Sequence, residues 1–164
     1  MSHVRYIDRT REYYLGQGYE KPYEWATFDD VPFTSLTKPL AECRVGLVST
    51  SDIAIRAADG GRDRRHEDRV GNVYSLPSDT DPALYFSRQE HYDQVATTLD
   101  DTDSYFPITR LHELVEQGRI GSLADRSHGV YTAYSHRKTT ETDAPEVLAR
   151  CRADGVDVAV LTPV

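Results

Sequence analysis

Residues that cross-link, bind soft metals or anchor in a bilayer are scarce in this 164-residue chain. It has two cysteines, one tryptophan and one methionine, and its lysines are limited to Lys21, Lys38 and Lys138. Cys43 and Cys151 lie far apart and form no CxxC pair, so neither a disulfide framework nor a zinc site is expected. No apolar run approaches the roughly 20 residues of a membrane span. The opening Met1-Ser2-His3-Val4-Arg5-Tyr6 lacks the apolar stretch of a signal peptide. The expectation is a cytoplasmic protein with no membrane partner. Cationic charge is in deficit as well: 19 Lys and Arg against 27 Asp and Glu leave a net charge of −8. Binding to a nucleic-acid backbone needs clustered cations to release counterions, so no nucleic acid is expected as a partner. The arginine-rich run from Arg62 to Arg69 is interrupted by Asp63, Glu67 and Asp68 and reads as a solvated, self-compensating loop. No glycine-rich phosphate motif is present, which argues against a nucleotide. His112, His128 and His136 have no ligand-like spacing; they read as surface or packing residues, and no metal is expected.

What is present suits one globular core. Residues 1–42, rich in Tyr and Pro, predict an irregular N-terminal arm, with Asp8 capping a short helix that ends at Gly16 and Gly18. Residues 43–164 predict an α/β domain. Arg44-Val45-Gly46-Leu47-Val48 is an apolar run of strand length, followed by the polar turn Ser49-Thr50-Ser51-Asp52 and then Ile53-Ala54-Ile55. Val73 to Pro77 and Leu84 to Ser87 predict further strands. Ile108, Leu111, Leu114 and Val115 share one helical face behind Pro107, and Gly118 closes that helix. Residues 120–124 read as a tight connector. Thr142 or Asp143 is the predicted cap of a second helix, with Val147, Leu148 and Cys151 on its inner face and Gly155 at its end. Val156 to Leu161 follows as a continuous apolar strand. Helix, glycine and apolar strand form half of a βαβ unit, and such strands are ordinarily buried on both faces. The fold expected is an open, mostly parallel sheet with flanking helices, of Rossmann-like or flavodoxin-like type.

In such sheets ligands sit beyond the carboxyl ends of the strands. Thr162, Pro163 and Val164 occupy that place after the last strand, and Ser49, Thr50 and Ser51 occupy it after the first. These hydroxyls either bind a substrate carboxylate or phosphate or make an ordinary turn that caps the next element. His91 and Asp93, two residues apart on an extended segment, share a face. They read either as a proton donor with its orienting carboxylate or as a surface histidine and a turn residue.

Several segments, in order, resemble the selenoprotein B family of glycine, sarcosine, betaine and D-proline reductases, especially its short members. Val4 to Tyr14 and Gly18 to Tyr23 are similar to that family's N-terminal arm, and Val45 to Thr50 to its first strand and loop. His91-Tyr92-Asp93 resembles its His-aromatic-Asp motif. Phe106 to Leu111 with Gly118 to Ala124 resembles its central helix and turn, and Asp154 to Val164 the segment leading to its active site. One departure stands out: Asp52 takes a place where the family is expected to have glycine. The resemblance implies a selenol- or thiol-dependent reductase component that cleaves a C–N bond in small amino-acid-like substrates. It implies catalytic roles for His91 and Asp93, and substrate-binding roles for Ser49, Thr50, Ser51 and Thr162. The implied partners are a small-molecule substrate and other reductase subunits or a thiol reductant; a homo-oligomer belongs to the assembly-domain alternative. No cofactor is implied within residues 1–164; a selenocysteine or cysteine is expected just after Val164, so that these residues are the inactive N-terminal part of a longer selenoprotein. The alternative is a non-catalytic binding or assembly domain that pairs through an exposed sheet edge.

Overall fold

The computed structural model describes residues 5–22, 24–32, 34–57, 68–90, 92 and 94–164. The chain divides into two compact units, one up to Thr34 and one from Ser35 to Val164. In the first, helix α1 spans Tyr6–Gly16, and none of its residues is buried. Asp8 lies in the first turn rather than at the cap, which is Arg5; there its charge favours the helix N-terminus through the dipole. Tyr14 packs on Tyr13 and Tyr19, with ring centroids 5.9 and 5.3 Å apart.

The second unit is α/β. Its strands are β1 (Arg44–Ser49), β2 (Ile53–Ile55), β3 (Val73–Pro77), β4 (Tyr85–Ser87), β5 (Ser122–Leu123), β6 (Arg126–Val130) and β7 (Val158–Thr162). Its helices are α2 (Ile108–Glu116), the short α3 (His136–Lys138) and α4 (Ala144–Ala153). β1 is the hub. It runs parallel to β7 along one edge and parallel to β5 and then β6 along the other. β3 closes the far side antiparallel to β6. β2 and β4 form a separate antiparallel ribbon, where sequence alone suggests further members of one sheet. The mostly parallel α/β architecture is the one expected. Among the described residues no helix is long and apolar enough to cross a membrane.

Strand alternation assigns the two faces. Val45 and Leu47 point to the face covered by α2, where they join Ile53, Tyr74, Tyr85, Phe106, Ile108 and Leu111 in the main core. Val48, His128 and Ser75 line up across β1, β6 and β3 on the opposite face, where Arg150 of α4 donates to the Ser75 hydroxyl at 2.6 Å. Both cysteines are buried and unpaired.

Four further expectations are corrected. The connector at 120–124 contains β5, and residues 126–130, Arg-Ser-His-Gly-Val, form an interior strand although they are too polar to read as one. Most of its polar groups are partnered, although the buried Nε2 of His128 makes no hydrogen bond and only approaches Asp154 Oδ2 at 3.3 Å. The Ser127 hydroxyl bonds Ser78 Oγ at 2.8 Å. His128 Nδ1 lies 3.0 Å from Ser75 Oγ, and Arg126 is bidentate on Asp154. Second, neither Thr142 nor Asp143 caps the last helix. A π-helical turn at Thr139–Asp143 joins α3 to α4, and the start of the helical stretch is capped by Ser135, whose side chain accepts from Lys138 N–H. Asp143 instead turns inward and its Oδ2 accepts from Asn72 Nδ2 at 3.1 Å. Third, Leu148 is half exposed, whereas Arg150 and Cys151 are the buried positions of α4. Fourth, β7 is not buried on both faces. It is an edge strand: Val158 and Val160 pack on the core, while Ala159 and Leu161 are exposed.

Gly129 has no room for a side chain. A Cβ there would stand 1.9 Å from Cζ of Tyr74. The Gly129→Ala variant is therefore expected to lose roughly 1–3 kcal/mol of stability or more through overpacking, measured by urea unfolding. A second expectation concerns pH. Burial holds His128 below the ordinary histidine pKa; the nearby Asp154 opposes this, and Arg126 and Arg150 reinforce it. The native state therefore binds fewer protons than the unfolded one below the unfolded value of about 6.5. Stability should be flat above that pH and fall as the pH drops below it. His128→Gln should flatten the curve between about pH 6.5 and 5; an unchanged slope in that window would remove His128 as its source.

Candidate functional site

The carboxyl ends of β1, β6 and β7 converge as the parallel sheet requires. A cleft of about 230 Å³ opens there, lined by Thr50, Asp52, Arg88, Gln89, Glu90, Tyr131, Thr132 and Tyr134. Its walls come from the loop after β1, the segment after β4 and the segment after β6. Among the described residues, two non-glycine positions have left-handed backbone, Asp52 at φ 48° and Tyr134 at φ 46°. Both line this cleft. Left-handed backbone is disfavoured for residues with a Cβ, strongly so for bulky ones, and residues held in such conformations cluster at functional sites.

Asp52 accepts from Arg88 Nη2 at 3.1 Å, and its backbone carbonyl accepts from Arg88 N–H at 3.0 Å. The same Nη2 donates to the Tyr131 hydroxyl at 2.9 Å. Burial alone would lower the Arg88 pKa, but the bond to Asp52 and its charge outweigh that, so the guanidinium is held charged. Burial pushes the Tyr131 hydroxyl upward, reinforced by the Asp52 carboxylate. The Tyr131 ring packs on Tyr74, with centroids 4.9 Å apart, and the Arg69 guanidinium lies 4.7 Å from its centre in cation–π contact. Tyr74 is fully buried and its hydroxyl accepts from Ile53 N–H at 2.8 Å. It thus holds both the residue after Asp52 and the ring of Tyr131. Burial keeps that hydroxyl protonated far above the usual tyrosine range.

The four hydroxyl residues singled out by sequence do gather here, and they divide in two. Ser49 donates to the Tyr105 carbonyl at 2.9 Å and lies 2.6 Å from Ser51 Oγ. Thr162 Oγ1 reaches the same carbonyl at 3.1 Å. One carbonyl takes two good donors, so Ser49 and Thr162 bond Tyr105 while Ser51 donates to Ser49. Ser49 and Ser51 are buried, and these hydroxyls are spent on joining β1 and β7 to the loop before α2. Thr50 faces the cleft instead. Its N–H donates to Thr162 O at 3.2 Å and its Oγ1 accepts from Val164 N–H at 2.8 Å, so it ties the end of β7 to the cleft wall.

His91 and Asp93 lie outside the described residues; in sequence they follow Glu90 of the cleft wall by one and three positions. Arg88, Tyr131 and Tyr134 were not singled out by sequence reasoning. The tyrosines read as packing, and Arg88 had no motif around it. Asp52 carried a signal, as an aspartate in a place where glycine was expected. Among the described residues no cluster of His, Cys, Asp or Glu could hold a metal ion.

The backbone at Asp52 supplies a direct test. Asp52→Gly removes the Cβ penalty, whereas Asp52→Ala keeps it and loses the Arg88 bond. The glycine variant should melt as the more stable of the two, by about 1 kcal/mol. Equal stability would show that the loop does not hold position 52 in the left-handed region.

The chain is similar to the glycine reductase complex component B subunit gamma of Carboxydothermus hydrogenoformans, at 26% identity over 158 residues. The match covers 90% of this chain and 34% of that relative, so the chain spans about a third of the relative's length. No protein-family model matches the chain, and no solved structure matches it. At this identity the similarity supports a related family.

Proposed function

We propose that this chain is the substrate-binding part of a reductase component that cleaves a C–N bond in small amino-acid-like molecules by selenol or thiol chemistry. The observation that carries the reading is the tie between Thr50 and Val164. The reactive chalcogen, which in this reading follows Val164, leaves β7 next to the cleft of Asp52, Arg88 and Tyr131. A selenolate or thiolate is the competent nucleophile. It attacks the carbon that carries nitrogen, the C–N electron pair leaves with the amine, and the amine takes a proton. A dithiol reductant supplies the two electrons that free the adduct, and other subunits of the complex deliver it. His91 and Asp93 serve as proton donor and its orienting partner in this reading. Thr50 positions the substrate and the strand end, while Ser49, Ser51 and Thr162 hold the surrounding loops.

The resemblance of the segment from Asp154 to Val164, the similarity to a glycine reductase subunit and the cleft at the carboxyl edge of the sheet all support this reading. The test is the full encoded protein with its partner subunits, assayed for release of ammonia or amine from small amino acids with a dithiol as reductant. Thr50→Val should lower the rate by about tenfold or more, because misplacing reacting groups by a fraction of an ångström is costly. Thr50→Ser should restore it. Absence of dithiol-dependent amine release, or a UAA or UAG codon directly after that of Val164, would remove the reading.

A further inference from the structure

Among the described residues the walls of the cleft carry three formal charges, Asp52 and Glu90 against Arg88. An arginine at the mouth of such a site would ordinarily be the anchor for a ligand carboxylate, because its planar fork matches two oxygens. Here that fork is engaged by the chain itself. Asp52 Oδ1 lies 3.1 Å from Nη2, and Tyr131 takes the same nitrogen at 2.9 Å. The Asp52 side chain is largely covered, with 23% of its surface exposed. Its backbone is held in the left-handed region by the Arg88 N–H to Asp52 carbonyl bond on one side and the Tyr74–Ile53 bond on the other. A carboxylate on a strained residue, fixed at both ends and aimed at an arginine, mimics a bound anion.

We propose that Asp52 is the specificity-determining residue of the cleft. By holding Arg88 with its own carboxylate it bars ligand carboxylates from that guanidinium, and with Glu90 it leaves an excess of negative charge that admits the ammonium end of a small ligand. Arg69 is turned onto the Tyr131 ring and is not among the described lining residues. A carboxylate entering the intact cleft would meet two like charges and one arginine already paired. An ammonium entering it would meet two carboxylates and the hydroxyls of Thr50, Tyr131, Thr132 and Tyr134. The inference concerns the same cleft as the proposed reductase but uses none of its chemistry, so binding read without turnover separates the two.

The experiment titrates the full chain with methylammonium chloride and, separately, with sodium acetate, at fixed ionic strength, following Arg88 and Tyr131 by NMR. The wild-type protein should shift with methylammonium and not with acetate. Asp52→Asn, which keeps a side chain tolerant of left-handed backbone, should bind acetate about tenfold more tightly than the wild type and methylammonium correspondingly less, since a hydrogen bond to a charged group is gained or lost. The double variant Asp52→Asn, Arg88→Gln should lose the acetate response again, which identifies the guanidinium as the uncovered anchor. Thermal melting with Asp52→Gly as a second variant checks that the loop is intact. Acetate binding to the wild type as tight as to Asp52→Asn, methylammonium binding indifferent to position 52, or no response to either probe in any variant would overturn the proposal. Loss of reductase activity with these preferences intact would count against the function above and not against this assignment.

Discussion

Tyr74 is the side chain on which the site depends. It crosses the sheet where Gly129 leaves space for its ring, and its hydroxyl takes the Ile53 N–H. That bond fixes the start of β2, and with it the left-handed turn at Asp52. The same ring also packs against Tyr131. One buried phenol therefore joins β3 to β6, seats the β2–β4 ribbon and supports two residues of the cleft. Its burial is affordable because the hydroxyl has a backbone donor; an unpartnered hydroxyl in that place would cost roughly 1–3 kcal/mol.

A second fixed point is the Tyr105 carbonyl. It lies in the loop before α2 and collects the hydroxyls of Ser49 and Thr162, with Ser51 bonded behind them. The ends of two neighbouring parallel strands are thereby held at one height, on the side where α2 covers the sheet. The bond from Ser87 Oγ to the Ser51 carbonyl adds the end of β4 to the same cluster. Rigid support of this kind places Thr50, between Ser49 and Ser51, at the cleft wall with its side chain turned outward. Alternation along the strand end explains why neighbouring hydroxyl residues have opposite tasks.

On the opposite face of the sheet the interior is polar. Arg150 reaches Ser75, Asp68 and Glu146, His128 sits between Ser75 and Asp154, and Arg126 holds Asp154. Ser75, His128 and Asp154 invite comparison with a nucleophile, base and acid, but His128 is 1% exposed and the Ser75 oxygen is already bonded by Arg150. The group acts as a polar seam that holds α4 to the sheet. Removing one member would leave buried charges unpaired, the costly case for such networks.

Local chemistry alone marks much of this protein. The apolar run of β1, the strands at Val73 to Pro77 and Leu84 to Ser87, the helix behind Pro107, and the helix, glycine and strand that end at β7 all follow from periodicity and turn residues, because apolar spacing and Gly or Pro punctuation are local properties of the chain. The gathering of Ser49, Thr50, Ser51 and Thr162 is legible too, since parallel strands must end together. Tertiary structure decided the rest. β6 is a strand because Asp154, Ser75 and Ser78, distant in sequence, take up Arg126, His128 Nδ1 and the Ser127 hydroxyl; no local pattern reveals partners of that kind. Leu161 is exposed because β7 lies at the sheet edge with α4 over β3 and β6, a matter of layer geometry and not of hydrophobicity. The cleft belongs to the same class. Asp52, Arg88 and Tyr131 are 79 residues apart from first to last, and they meet only because Tyr74, packed across a glycine, draws three segments to one point.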